Sequence, residues 1–230
     1  MIEPDVISLD LDDTLWPVAP VIAAAESALL AWLQRHHPQA ASGHDVDSMR
    51  RLGAGVAERH PERRHDLTFL RRRALHEQLT AAGYPGTAVD AAMEVFLAER
   101  NRVRLYDDVR PALARLRLKY RLFSLSNGNA SPDRCGIGHF FEGHVAAAHA
   151  GAAKPDARIF EHLARVAGVQ PVRILHVGDD PLTDVVGATR AGMQAAWLNR
   201  NCVRWPDQYS APPCTVTTLA DLLAADAGEC

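Results

Sequence analysis

No CxxC pair occurs among the four cysteines, Cys135, Cys202, Cys214 and Cys230, and none of their spacings matches a zinc-ligand pattern. A zinc module is excluded, and scattered thiols of this kind suit a reducing cytosol. No apolar run approaches the length of a membrane span, and no basic start leads into an apolar stretch with a small-residue cleavage site. A soluble, cytoplasmic protein with no membrane partner is expected. Charge of one sign is scarce as well: 25 Lys and Arg against 28 Asp and Glu leave a net charge of -3, which offers no global attraction for nucleic acid. Repeats and low-complexity tracts are missing, and so is the GxSxG elbow that would make Ser126 a hydrolase nucleophile. What remains is an ordinary globular composition, 47% hydrophobic and 23% charged over 230 residues. That suffices for one α/β domain or a core with a smaller insert.

Two textures divide the chain. From Val18 to about Arg104 the apolar spacing is helical throughout, as in "DLTFLRRRALHEQLTAAG", where Leu67, Leu70, Ala74 and Leu75 share a face and Gly83 stops the helix. Thr87 is a plausible N-cap for the helix that follows. After Tyr106 the short runs "YRLFSLS", "GHVAAA", "VRILHVGD" and "MQAAWLN" read as buried strands, and "KPDARIFEHLARVAG" and "PLTDVVGATRAG" read as helices between them. Strands alternating with helices predict a parallel sheet covered on both faces. The first strand, Asp5 to Leu11, needs that sheet as its partner. The expected architecture is therefore an α/β core of residues 1–17 and 106–230, interrupted by a helical insert at 18–105.

In open parallel sheets, ligands bind beyond the carboxyl ends of the strands. Three strand ends here are polar: Asp10, Asp12 and Asp13; Ser126, Asn127 and Gly128; Gly178, Asp179 and Asp180. Lys154 lies in a loop that could reach them. Crowded carboxylates repel unless a cation joins them, and a hard divalent ion such as Mg²⁺ takes carboxylate and phosphate oxygens together. A carboxylate not consumed by the metal could attack phosphorus. A second one, two residues along the strand and on the same face, could serve as the acid. The glycine of "SNGNA" would let backbone amides approach a phosphate, and a turn alone would explain it equally well.

"DLDDTL", "SNG", Lys154-Pro155 and "GDDPLTD" resemble, in order and spacing, the four motifs of the haloacid dehalogenase (HAD) superfamily, over nearly the whole chain. The resemblance implies a Rossmann-like core with strand one central and the helical insert as a type-one cap. It implies Asp10 as nucleophile and magnesium ligand, and Asp12 as general acid and base, lending its backbone carbonyl to the metal. Ser126 and Lys154 would hold the phosphoryl group beside Asn127 and Gly128. Asp179 would complete the metal site, and Asp184 would act through water or by orienting Lys154. The family's dehalogenases lack the second carboxylate, so the presence of Asp12 favours phosphoryl transfer over C–Cl cleavage. Mutases keep both carboxylates, and a phosphomutase or a non-catalytic phosphate-binding protein are the alternatives. "GNA", "GIGHFFE", "GAAKPDARIFE" and "AGMQAAWLNR" further resemble a bacterial branch that includes flavin mononucleotide phosphatases and acts on the phosphoribitylamino-uracil of riboflavin synthesis. A small phosphorylated metabolite is the expected partner.

Other residues reduce to structure. The arginines of "RHPERRH" and "LRRRAL" lack an aromatic platform for stacking bases and read as a solvated helix face. Arg71 or Arg72 could still reach an anionic substrate. His176 reads as a packed core histidine rather than a base. Trp197 reads as core, and Trp16 as packing or a substrate contact. His139 and His144 are too irregularly placed for a metal site. Asp13 stands where many relatives carry glycine, and Asp180 directly follows Asp179; both read as solvated or helix-capping carboxylates.

Overall fold

Val6–Leu9 (β1) is a fully buried strand of four residues. A strand buried on both faces favours apolar residues throughout, as Val6, Ile7 and Leu9 show, and Ser8 is the exception. A computed structural model of the chain describes residues 3–225. It divides into two compact units, Met1–Pro17 with Arg104–Cys230, and Val18–Val103.

The second unit is entirely helical: α1 (Val18–His36), α2 (Pro38–Ala41), α3 (Val46–Arg59), α4 (Leu67–Ala81) and α5 (Ala88–Arg100). Ala25, Leu29 and Leu33 recur every four residues on α1 and pack with Leu75, Leu79, Met93 and Phe96 into a core of this unit's own. Asp45 opens α3 with a reciprocal capping box through Ser48. Thr87 does occupy the N-cap of α5, but its side chain makes no capping bond. The basic face is committed internally: Arg59 and Arg73 pair with Glu77, Arg63 with Asp66, and Arg72 with Asp90. Arg71 lies over the Phe96 ring.

The first unit continues with α6 (Val109–Leu116), β2 (Arg121–Ser126), β3 (Gly143–Ala146), α7 (Ala147–Ala150), α8 (Ala157–Ala167), β4 (Ile174–Gly178), α9 (Gly187–Arg190), β5 (Gln194–Leu198), β6 (Thr215–Val216) and α10 (Asp221–Ala225). The strands form one parallel sheet in the order β3-β2-β1-β4-β5-β6. The chain leaves β1 towards β2 on one side and β4 on the other, so the sheet's switch point lies at the end of β1.

One local expectation fails, and one strand is not foreseen. "GHVAAA" is a strand only to Ala146, because its alanines continue as a helix, their preferred state. β6 is a two-residue rung, too short to show a period. Asp180 does cap the turn that follows it, accepting the amides of Leu182 and Thr183. The four cysteines are not all free thiols: Cys135 and Cys202 are, whereas Cys214 is disulfide-bonded. No helix among the described residues is long and apolar enough to cross a membrane.

Candidate active site

Parallel pairing in register brings the polar strand ends to one edge. Ser8 lies opposite His176, and Leu9 opposite Val177, so the residues that follow β1 and β4 leave the sheet side by side. The ladder runs one bond past β1, with the Asp10 amide donating to the Val177 carbonyl at 2.9 Å. This fixes Asp10 while its side chain, on a 7% exposed residue, enters the edge.

Lys154 holds the centre. Its Nζ donates to Asp10 Oδ1 at 2.6 Å, to Asp184 Oδ1 at 2.6 Å and to the Leu125 carbonyl at 3.1 Å. Three donors meet three acceptors, so the ammonium has one orientation. The backbone carrying it is bracketed by Asn127, whose Oδ1 accepts the Lys154 amide at 2.7 Å and whose Nδ2 donates to the Lys154 carbonyl at 2.9 Å. The Asn127 side chain thus serves the lysine loop. Ser126 Oγ accepts the Gly128 amide at 2.9 Å, which leaves its O–H available as a donor. Asp10 Oδ2 has no hydrogen-bond partner among the described residues and remains open.

Burial and crowding set the charges. Burial pushes the Asp10 carboxyl well above the usual carboxylate range; Lys154 opposes this, while Asp184 and Asp179 reinforce it. Burial works the same way on Asp184, but Lys154 and His176 outweigh it and hold that carboxyl below the usual range. Burial works against the Lys154 ammonium, and Asp10 and Asp184 overcome it, keeping it charged. Asp179 is pushed up to about 7, by burial first and then by the charge of Asp184. Asp10, Asp179 and Asp184 can offer oxygens within 4.8 Å of one another. Three carboxylates against one ammonium leave two negative charges, which a divalent cation would balance. Hard oxygen donors of this kind fit Mg²⁺. The Asp12 carboxylate is not in that group: its Oδ1 accepts the Trp16 indole N–H at 3.0 Å. Asp184 has little coordinating capacity to spare, since Oδ1 already accepts Lys154 and His176 and Oδ2 accepts the Asp180 amide at 3.0 Å.

Several supporting residues were not singled out by sequence for what they do here. Thr14 donates to Asp179 Oδ1 at 3.0 Å, and the Trp197 indole donates to the Asp179 carbonyl at 2.8 Å. Arg200 reaches the Thr14 carbonyl at 2.9 Å and clamps both oxygens of Asp108. Gly178 is required by close approach, because a Cβ there would fall 2.2 Å from Asp184 Cγ. His176 is buried as expected, yet it bonds Asp184 at 3.1 Å. Thr14 follows the acidic run and Gly178 precedes Asp179, so both stood in view. Arg200 and His176 carried no local signal.

The chain matches the family model of the haloacid dehalogenase-like hydrolases over residues 4–192. It is 35% identical to the 5-amino-6-(5-phospho-D-ribitylamino)uracil phosphatase of Escherichia coli, covering 94% of this chain and 93% of that protein. It is 30% identical to the glyceraldehyde 3-phosphate phosphatase of Methanopyrus kandleri, covering 84% and 83%. Among solved structures, a 2-haloacid dehalogenase from Pseudomonas syringae pv. Tomato DC3000 is similar with a TM-score of 0.91, 34% identity and 99% of both chains covered.

Proposed function

The chain belongs to the haloacid dehalogenase-like hydrolases, as a phosphoric monoester hydrolase of that family, and from this premise we propose a Mg²⁺-dependent phosphatase that works through a phosphorylated Asp10. The observation that carries this reading is the division of labour between two carboxylates. Asp10 has one oxygen held by Lys154 and the other open, while Asp12 is turned aside onto Trp16.

In this reading Asp10 Oδ2 attacks phosphorus, the ester P–O bond breaks, and Asp12 gives its proton to the departing alkoxide. The ionised Asp12 then takes a proton from the water that attacks the Asp10 phosphoryl group. Inorganic phosphate leaves, and both carboxyl groups return to their starting states. The Ser126 hydroxyl donates to the phosphoryl oxygens as charge builds there, and the Lys154 ammonium supplies its positive charge beside them. The Asn127 amide would join them, and so would that of Gly128 on release from Ser126. Asp10, Asp179 and the Asp12 backbone carbonyl would hold Mg²⁺, which supplies charge neutralisation at the phosphoryl group. Asp184 orients Lys154.

The helical unit is proposed as the type-one cap that selects the substrate. The E. coli relative is named for the phosphoribitylamino-uracil, which makes that compound the leading candidate here, with flavin mononucleotide beside it. The test is phosphate release from a panel of small phosphorylated metabolites containing both, with Mg²⁺ or with chelator. Release should need Mg²⁺ and fall at least about a thousandfold in Asp10→Asn. 2-Chloropropionate belongs in the same panel because of the Pseudomonas neighbour. Chloride release without phosphate release would overturn the phosphatase.

A further inference from the structure

Ser8 and His176 are both 0% exposed, in the middle of the sheet, on paired positions of β1 and β4. Two polar side chains among Val, Ile and Leu are costly to bury unless every polar atom finds a partner. Here each does. Ser8 Oγ lies 2.5 Å from His176 Nδ1, and His176 Nε2 lies 3.1 Å from Asp184 Oδ1. Phe160 packs edge-on against the ring, with centroids 5.5 Å apart, and fixes its plane. A carboxylate can only accept, so Nε2 carries the proton towards Asp184, and Nδ1 accepts from the Ser8 hydroxyl.

We propose that His176 is a positioning residue: the imidazole, anchored by Ser8, pins Asp184 Oδ1 and thereby sets the direction in which Lys154 reaches Asp10. The inference rests on the roles given above to Lys154 and Asp10. Asp184 Oδ1 is the shared acceptor of His176 and Lys154, and Oδ2 is tied to the Asp180 amide. The room for this carboxylate exists because position 178 has no Cβ. With both oxygens fixed, Asp184 is a stationary acceptor, and Lys154 has no freedom to turn from Asp10. Remove the His176 donor and Oδ1 can swing. Lys154 then follows it, and the open oxygen of Asp10 loses its aim. Ser8, His176 and Asp184 act on the substrate only through Lys154 and Asp10, whose aim matters most as charge builds in the transition state, so the loss falls on turnover rather than on binding. Burial also disfavours the imidazolium, consistent with a ring that donates on one side only.

The experiment compares His176→Met, of similar length but without an N–H, with His176→Gln, which has a donor and an acceptor at its end. Relative to wild type with saturating Mg²⁺, His176→Met should lose about 10–100-fold in kcat with KM within about threefold, as removal of an orienting partner typically does. His176→Gln should recover kcat to within about fivefold of wild type. A His176→Met enzyme with near-wild-type kcat, or a glutamine variant no better than methionine, would overturn the inference. Should His176→Met not fold, Ser8→Ala leaves the ring in place and should still lower kcat about threefold or more without moving KM; an unchanged kcat counts against the proposal. Imidazole ¹⁵N shifts of the wild-type protein give an independent readout. They should show the Nε2–H tautomer, and an Nδ1–H tautomer would overturn the geometry. Wild-type protein inactive on every phosphate ester would sink the phosphatase reading instead, a result separable from an active enzyme indifferent to His176.

Discussion

Asp13 adopts a φ of 59°, in the left-handed region that costs most residues about 1 kcal/mol and glycine almost nothing. Its amide donates to the Trp16 carbonyl, closing the turn that presents Asp12 to the Trp16 indole. Asp13 also raises the Asp179 carboxyl through its charge. Asp13→Gly should therefore leave thermal stability unchanged or raise it by up to about 1 kcal/mol. A loss of comparable size on thermal unfolding would show that the side chain holds the turn. The elevated Asp179 carboxyl makes a second prediction. A carboxyl whose folded pKa is raised costs stability as pH climbs from its ordinary value through about 7, because the folded state must then carry an unfavourable charge. Mg²⁺ would offset that charge. The gain in melting temperature on adding Mg²⁺ should accordingly be larger at about pH 8 than at about pH 5.5. An equal gain at both would place the cation elsewhere.

Among the elements, α3 shows most clearly what local rules contribute. Its start is well specified by the reciprocal bonds between Asp45 and Ser48, yet its interior carries Gly53, with no left-handed φ and nothing within 4 Å of where a Cβ would sit. Gly53 faces a hollow of about 280 Å³ between α1, α3 and α4, bordered by Leu29, Leu70 and Ala74. Neither geometry nor packing requires glycine there. Gly53→Ala should stabilise the protein by about 0.5–1 kcal/mol through helix propensity alone. Chemical denaturation of the two proteins measures this, and a destabilised alanine variant would mean the hollow holds something a methyl group displaces. Gly178 is the opposite case, a glycine whose missing Cβ is occupied by the Asp184 carboxylate.

For the molecule as a whole, a share of acid sensitivity is expected from a second serine–histidine pair, this one part-buried. Ser124 Oγ lies 2.7 Å from His144 Nδ1, and burial, with His149 adding to it, lowers His144 to about 4. A lowered histidine is neutral in the folded protein and charges on unfolding. Its stabilising share is present above about 6.5 and is lost as pH falls towards about 4. The stake is up to about 3 kcal/mol. His144→Asn should flatten the stability profile across that window, and a wild-type slope in the variant would assign the lability to other groups. Among the described residues His144 bonds Ser124 and no residue of the catalytic edge, so total activity should follow the stability curve while activity per folded molecule stays unchanged.

Sequence alone determined the kinds of element and the inventory of the edge. Apolar runs broken by polar ends marked β1, β2 and β4, helical spacing marked the residues after Val18, and the acidic, serine and lysine motifs carried the family resemblance. These features are legible because each is local, written in a period or in a short motif. Register and partnership are not local. Only pairing across the sheet set Ser8 opposite His176, delivered Lys154 to two carboxylates far apart in sequence, and turned Asn127 onto the lysine backbone instead of outward. A histidine between leucine and valine looks the same in sequence whether it is filler or a hydrogen-bonded relay. The difference lies in which atoms of other segments stand within hydrogen-bonding reach, Ser8 Oγ on one side and Asp184 Oδ1 on the other, and chain spacing holds no record of that.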